Sequence, residues 1–325
     1  MNAILRKVTT ARPENPAPPL TLSLPLWLRK ELNASLGQER ADRFVSERTM
    51  PLPISIRVQT DRISRDAYFE KLSAKIPDAI ITKGTLSDRV LLVQDAGDPR
   101  AWPGYAEGEF AVQDEGSVVI AEIVGAQKGE RVLDACAGRG GKTMVLAGDV
   151  GSTGHVTAAD VYPEKLEKML VEGERLGVDV SRIELVGVDL AVGAGGLTAS
   201  FDRVLVDAPC TGLGTVHRRP EILLRLSEKD LTRMAALQTQ IVSRAATLVR
   251  PGGVLVYSVC SPTKAEGIEV VRHLLEKNTD LKLDSALIAK RGMAVDADQG
   301  LRLGPWSSDA NGPDAYQVFS FRRLS

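Results

Sequence analysis

The sequence predicts an α/β protein in which a doubly wound parallel sheet follows a smaller α/β module. Three observations carry that reading. From about residue 110, short β-rich apolar runs alternate with helical stretches, the pattern of strands buried on both faces and flanked by helices. Glycine, aspartate and cysteine gather immediately after those runs, where a doubly wound sheet binds its ligands. The length, 325 residues, suits about two domains of ordinary size.

Residues 1–20, with Pro13, Pro16, Pro18 and Pro19 and little apolar content, are expected to form a flexible tail. Ser23 is placed to cap a helix with Pro25 in its first turn, followed by Leu26, Trp27, Leu28, Leu32 and Leu36 and stopped by Gly37. A second short helix should reach about Arg48. The alternation Ile54, Ile56, Val58 predicts a strand, Ser64 to Lys75 a helix and Arg89 to Gln94 another strand. Gly97-Asp98-Pro99 and Trp102-Pro103-Gly104 then separate a 21–105 module from a 106–325 domain. In the larger domain strands are expected at 131–136, 155–160, 183–188, 202–206 and 254–258. Helices are expected at 115–125, 141–148, 163–176, 230–248 and 266–276, and an edge strand at 315–321.

Composition narrows the function classes. Hydrophobic residues are 43% and charged residues 26%, which fits a folded soluble protein and not a disordered one. No run approaches the roughly 18 apolar residues of a membrane span, and Met1 to Pro13 lacks the apolar block of a secretory signal. Cys136, Cys210 and Cys260 are odd in number and far apart, so they build neither a disulfide framework nor a metal-ligand spacing; reduced thiols in a cytoplasm are expected. Net charge is -1, but residues 1–100 hold 16 Lys+Arg against 12 Asp+Glu, so the basic side is N-terminal.

The chemistry lies at the predicted strand ends. The first strand runs into Leu133-Asp134-Ala135-Cys136-Ala137-Gly138-Arg139-Gly140-Gly141-Lys142-Thr143, a glycine-rich turn into a helix. It is neither a Walker A loop, since Cys136 stands where the first glycine belongs, nor a G-x-G-x-x-G fingerprint, since Thr143 stands where the last belongs. Such a turn can also exist without a ligand. Asp160 and Asp189 end the second and third strands, where acids accept from ribose hydroxyls and an adenine amine, although Asp160 is equally placed to cap the helix at Pro163. The fourth and fifth strand ends read Asp207-Ala208-Pro209-Cys210 and Tyr257-Ser258-Val259-Cys260-Ser261. Two cysteines converging over one crevice suit attack on a pyrimidine: a thiolate adding to carbon 6 makes carbon 5 nucleophilic toward a sulfonium methyl, and a second base removes the carbon 5 proton. Chemistry alone does not say which thiol attacks.

At these residues the sequence resembles the bacterial Sun/Fmu-type (RsmB-like) RNA cytosine-C5 methyltransferases, in a form without their extra N-terminal helical domain. Asp134 to Thr143 resembles the family's D-x-C-A-A-P-G-G-K-T, Asp207 to Thr215 its D-A-P-C-S-G-x-G-T, and Tyr257 to Ser261 its Y-S-T-C-S. Arg57-Val58-Gln59-Thr60 and Val112 to Ser117 resemble its R-V-N-T and V-Q-D-x-x-S. The resemblance implies a Rossmann-like class I methyltransferase fold, S-adenosylmethionine as cofactor, and RNA as partner, either rRNA or a small-subunit particle, with tRNA or a non-catalytic ribosome-assembly role as alternatives. It implies a cytoplasmic monomer. It makes Cys260 the nucleophile, Cys210 the residue assisting proton removal and release, and Asp207 the partner of the cytosine edge. Cys136, Ala137, Gly138, Arg139, Gly140, Gly141 and Lys142 would wrap the methionine part of the cofactor, with Asp160 at its ribose, Asp189 at its adenine and Asp207 beside it. Arg218 and Arg219 would meet phosphates near the target. Arg57, with Arg62, Arg65, Lys71 and Lys75, would do so from a small RNA-binding module. Gly138-Arg139 in place of Ala-Pro, Val259 in place of threonine, and Lys264-Ala265-Glu266-Gly267 in place of P-E-E-N depart from the family pattern.

Overall fold

The computed structural model describes residues 24–46, 52–307 and 312–324; the expected tail, the Ser23 cap and the expected helix end at Arg48 lie outside them. Helix α1 (Leu26–Leu36) stops at Gly37, whose φ of 75° only glycine adopts readily, and α2 (Gln38–Ser46) follows. Strands β1 (Ile54–Val58), β2 (Ile80–Lys83), β3 (Val90–Gln94) and β4 (Phe110–Val112) form an antiparallel sheet in the order β2-β3-β1-β4. Helix α3 (Arg65–Lys75), capped by the Ser64 hydroxyl accepting from the Ala67 N–H, buries Tyr68 and Leu72 against Ile56, Val58, Leu91, Val93, Trp102 and Phe110.

The large sheet has eight strands. Parallel β5 (Arg131–Asp134), β6 (His155–Asp160), β7 (Ile183–Gly187), β8 (Phe201–Asp207) and β9 (Val249–Val259) are joined by β10 (Leu281–Leu283), β11 (Leu301–Leu303) and β12 (Tyr316–Arg323). Their order is β10-β12-β9-β8-β5-β6-β7, with β11 also paired to β12, and β12 runs antiparallel to β9. The strand expected at 315–321 is therefore not an edge: β10 and β11 pair with its outer side. Helices α4 (Glu115–Val124), α5 (Gly141–Val150) and α6 (Pro163–Leu176) pack Val119, Met144 and Leu166 into the core on one face. After the short α7 (Ile222–Arg225), α8 (Glu228–Leu248) and α9 (Ile268–Lys277) pack Ile241, Ala245 and Val271 on the other, and α10 (Ala286–Ala289) completes the helices. The order reverses at β5, so the crevice outside the carboxyl ends of β5, β6 and β8 is where such a sheet binds ligands.

Polar contacts tie the small sheet to the large domain: Arg62 donates to the Leu176 carbonyl, Arg175 to the Phe110 carbonyl, and Arg89 pairs with Asp149 at 3.0 Å. Helices α1 and α2 pack Leu28, Leu32 and Phe44 not on the small sheet but on Leu213, Val216 and Ala315 of the large domain, directly behind the Cys210 loop.

Candidate active site

Strand register brings the cysteines together. Asp207 of β8 pairs with Ser258 of β9, so the chains leave the sheet side by side, and three and two residues later their thiols meet with Cys210 Sγ 2.8 Å from Cys260 Sγ. The Cys210 thiol is held well above the usual thiol range, first by its hydrogen bond with Cys260, then by burial and by the charges of Cys260 and Glu266. The loop after Cys210 is pinned from the other side: the Gly214 N–H donates to the Cys260 carbonyl at 2.9 Å, and the Gly214 carbonyl accepts from the Ala315 N–H at 3.0 Å.

Asp207 is held between two donors. Lys142 Nζ lies 2.6 Å from its Oδ2 and the Ser258 hydroxyl donates to its Oδ1 at 2.8 Å. Burial works against the Lys142 ammonium, but the charge and hydrogen bond of Asp207 outweigh it and leave its pKa raised, with a further contribution from Cys260. Below this cation, Asp134 is fully buried and accepts from the Thr143 hydroxyl at 2.7 Å; burial, ahead of every other influence, pushes its carboxyl up to about 6.

A cleft of about 440 Å³ opens beside this group and brings together Cys136, Gly138, Asp160, Asp189 and Asp207 of the expected cofactor residues. Asp160 Oδ2 accepts from the Gly138 N–H and its Oδ1 from the Tyr162 N–H, so the carboxylate holds the glycine turn in place while facing the cleft. Gly138 and Gly140 have φ values of 56° and 82°, and a Cβ at Gly140 would lie 2.1 Å from Met169 Cγ, so that position admits no side chain. Asp189 caps its own loop through the Ala191 N–H. Burial, followed by the charges of Asp134 and Asp207, pushes the Cys136 thiol well above its usual range. Arg139 is exposed on the turn. Sequence reasoning missed the apolar walls: Val161, Tyr162, Lys165, Leu190, Leu237 and Ile241 also line the cleft. Val161 and Tyr162 had a signal, being large apolar residues directly after a strand-end acid; Leu237 and Ile241, from α8, had none.

A second cleft of about 280 Å³ lies on the far side of the same loop, lined by Cys210, Thr211, Ile222, Arg225, Leu226, Asp230, Arg233 and Met234. Residues 207–211 form the wall between the two. Among the expected phosphate contacts, Arg57 requires correction. Arg57 is only 3% exposed, its guanidinium donating to Gln113 and Gln59 at 2.9 and 2.8 Å; burial first and the Arg89 charge second bring its pKa down to about 10. It joins β1 to the segment leading into α4 and does not reach solvent. Arg218 is exposed, while donating to the Pro53 carbonyl at 3.0 Å and pairing with Asp314 at 3.4 Å. Of the other basic residues in the small module, Arg62 donates to the Leu176 and Glu107 carbonyls, Arg65 to those of Gly84 and Ser87, and Lys71 pairs with Glu109 at 2.6 Å. Arg219 and Arg225 are exposed, and Arg233 is mostly so.

Glycine turn, acid-capped strands and paired thiols on a doubly wound sheet with an antiparallel β12 define a Rossmann-like methyltransferase domain joined to a small antiparallel-sheet domain. Residues 121–315 match the family model described as 16S rRNA methyltransferase RsmB/F, and residues 24–95 match the model of the ferredoxin-like domain of RsmF/B-like methyltransferases. The chain belongs to the RsmB/F methyltransferase family. It is 32% identical to a probable ribosomal RNA small subunit methyltransferase B of Bacillus subtilis over 82% of this chain and 58% of that protein. To the ribosomal RNA small subunit methyltransferase B of Pseudomonas putida it is 30% identical over 92% of this chain and 70% of that protein. The chain thus spans a little over half the length of the Bacillus relative. A methyltransferase homolog from Pyrococcus horikoshii superposes with a TM-score of 0.75 and 26% identity, covering 94% of this chain and 97% of that one. Among the described residues no helix is long and apolar enough to cross a membrane.

Proposed function

We propose that this chain is an S-adenosylmethionine-dependent RNA cytosine-5 methyltransferase acting, as a cytoplasmic monomer, on small-subunit ribosomal RNA. The observation that carries the reading is the pair of thiols 2.8 Å apart at the ends of adjacent strands, beside a cleft lined by Asp160 and Asp189. The residues fit the cofactor: Asp160 and Asp189 are placed to accept from ribose hydroxyls and an adenine amine, Val161, Tyr162 and Ile241 offer apolar walls, and the N-terminus of α5 has no side-chain cap. S-adenosylmethionine, when bound, supplies an electrophilic methyl group.

The chain's own residues do the rest. Cys260 Sγ, having given up its proton, adds to carbon 6 of the target cytosine and pushes electron density to carbon 5. Asp207, held by Lys142 and Ser258, stands ready for the polar edge of the base. Once carbon 5 carries the methyl group, Cys210 takes its proton, the carbon 5–carbon 6 double bond re-forms, and Cys260 leaves. Flipping the base costs only a few kcal/mol and least in single-stranded RNA, which suits loops of rRNA. Arg218, Arg219, Arg225 and Arg233 are the phosphate contacts of this reading in place of Arg57, the last two because they line the Cys210 cleft. The test is mass spectrometry of nucleosides from unmodified rRNA, small-subunit particles and tRNA incubated with cofactor and either the wild type or Cys260→Ser. 5-Methylcytidine on ribosomal RNA with the wild type only supports the reading; product on tRNA alone moves the substrate, and no product on any RNA favours a binding protein.

A further inference from the structure

Glu266 is fully buried beneath both cysteine loops and is not part of the reaction derived above. Its Oε1 accepts from the Thr211 N–H at 2.8 Å and Gln238 Nε2 at 3.0 Å, and its Oε2 from the Thr211 hydroxyl at 2.7 Å and the Ser261 hydroxyl at 2.5 Å, with the Thr263 hydroxyl at 3.4 Å. Thr211 directly follows Cys210 and Ser261 directly follows Cys260, so one carboxylate holds both thiol-bearing turns. The remaining ties close the frame. Gln238 Nε2 also donates to the Pro209 carbonyl, Tyr257 donates to the Glu266 carbonyl, and Gln317 Nε2 donates to the carbonyls of Ser261 and Thr263. A carboxylate offers about four lone-pair sites and only accepts, which suits a ring made wholly of donors; a glutamine would turn two N–H groups toward them.

The Glu266 charge also bears on the Cys210 thiol, adding to the hydrogen bond with Cys260 and the burial that raise it. The groups facing Cys210 are Cys260, Glu266 and the phenol of Tyr257, with Arg225, Asp230 and Arg233 lining the outer side of its cleft. We propose that Glu266 is the positioning residue of this site: its one buried carboxylate fixes the separation of the two cysteine turns and keeps its charge against the Cys210 turn. The chemistry of the site rests on the methyltransferase reading above, but the device itself is a property of the folded chain without RNA or cofactor.

The test therefore reads the thiols directly. In Cys136→Ser/Cys260→Ser protein, the pH dependence of Cys210 alkylation by iodoacetamide is followed by mass spectrometry with and without Glu266→Gln. In Cys136→Ser/Cys210→Ser protein, Cys260 is followed in the same way. Glu266→Gln should lower the Cys210 midpoint by about one pH unit, roughly a tenfold gain in alkylation rate at neutral pH, while the Cys260 midpoint moves by less than about a third of that. An unmoved or raised Cys210 midpoint, or equal movement of both thiols, overturns the proposal, the second because general loosening would account for it. Thermal unfolding and far-UV circular dichroism report whether Glu266→Gln is folded. Should it not be, Glu266→Asp, which draws the charge back by one methylene, should lower the Cys210 midpoint by a smaller amount, and an unmoved midpoint in folded Glu266→Asp overturns it equally. Because no methyl transfer is measured, a wild type that makes no 5-methylcytidine removes the proposed function and leaves this result standing.

Discussion

Replacing Lys142 by methionine tests the electrostatics on which the site is built. Lys142 and Asp207 have side-chain exposures of 11% and 29%, and their 2.6 Å contact is supported on the Asp207 side by Ser258 alone. Removing one member of a fully buried pair costs about 3–5 kcal/mol, because the other charge is left without a partner. Partial exposure of Asp207 lets water recover some of that, so about 2 kcal/mol is expected for Lys142→Met, which for a domain of this size lowers Tm by roughly 4–8 °C. Asp207→Asn leaves Lys142 facing an amide oxygen and should cost about 1.5 kcal/mol. The informative quantity is the double variant. If the two groups serve each other, Lys142→Met/Asp207→Asn costs no more than the worse single change, a coupling of about 1.5 kcal/mol read from urea unfolding at neutral pH. Losses that add within about 0.5 kcal/mol would show that the ion pair does not hold this corner of the sheet.

Three further outcomes follow from the same geometry. The Asp134 carboxyl is raised from 3.8 to about 6, so the folded protein holds this proton more tightly than the unfolded chain; the stability it contributes is complete below about pH 4 and lost as pH rises through about 6, a decline of about 3 kcal/mol. Asp134→Asn, which keeps the acceptor for Thr143, should remove that decline in thermal melts taken between pH 4 and 7. A Cβ at Gly214 would lie 2.0 Å from the Ala315 carbonyl and 2.9 Å from that of Cys260, so Gly214→Ala should cost about 1–3 kcal/mol in unfolding and depress methyl transfer further by displacing the Cys260 turn. Neutralising Arg225 and Arg233 should lower the slope of log affinity against log salt for single-stranded RNA by about 1.4, whereas Arg57→Met, whose guanidinium is sealed inside the fold, should leave the slope unchanged in a filter-binding titration.

What could be read from the chain and what could not divides along sequence distance. The five parallel strands of the large sheet carry their signal within a few residues, an apolar run followed by Asp134, Asp160, Asp189, Asp207 or Cys260, and they lie in the structure within a few residues of their expected bounds. The strands passed over lack such a signal: β2 is four residues long with a largely exposed pattern, and β4, β10 and β11 have three residues each. One side-chain assignment failed where a partner is remote. Arg57 looks like a surface cation in its own segment, yet it is buried and its guanidinium is bonded to Gln113, 56 positions on, as well as to Gln59. Lys142 looked like one residue of a cofactor loop, and its contact with Asp207 lies 65 positions away. Glu266 is the extreme case. Its neighbours Lys264, Ala265 and Gly267 depart from the family pattern, which draws attention away from it, yet its carboxylate is a point at which the turns of Cys210 and Cys260, 50 positions apart, are held in common. A substitution pattern around a loop therefore says little about whether the site survives, because a buried acceptor is constrained by the donors that converge on it and not by the residues beside it in the chain.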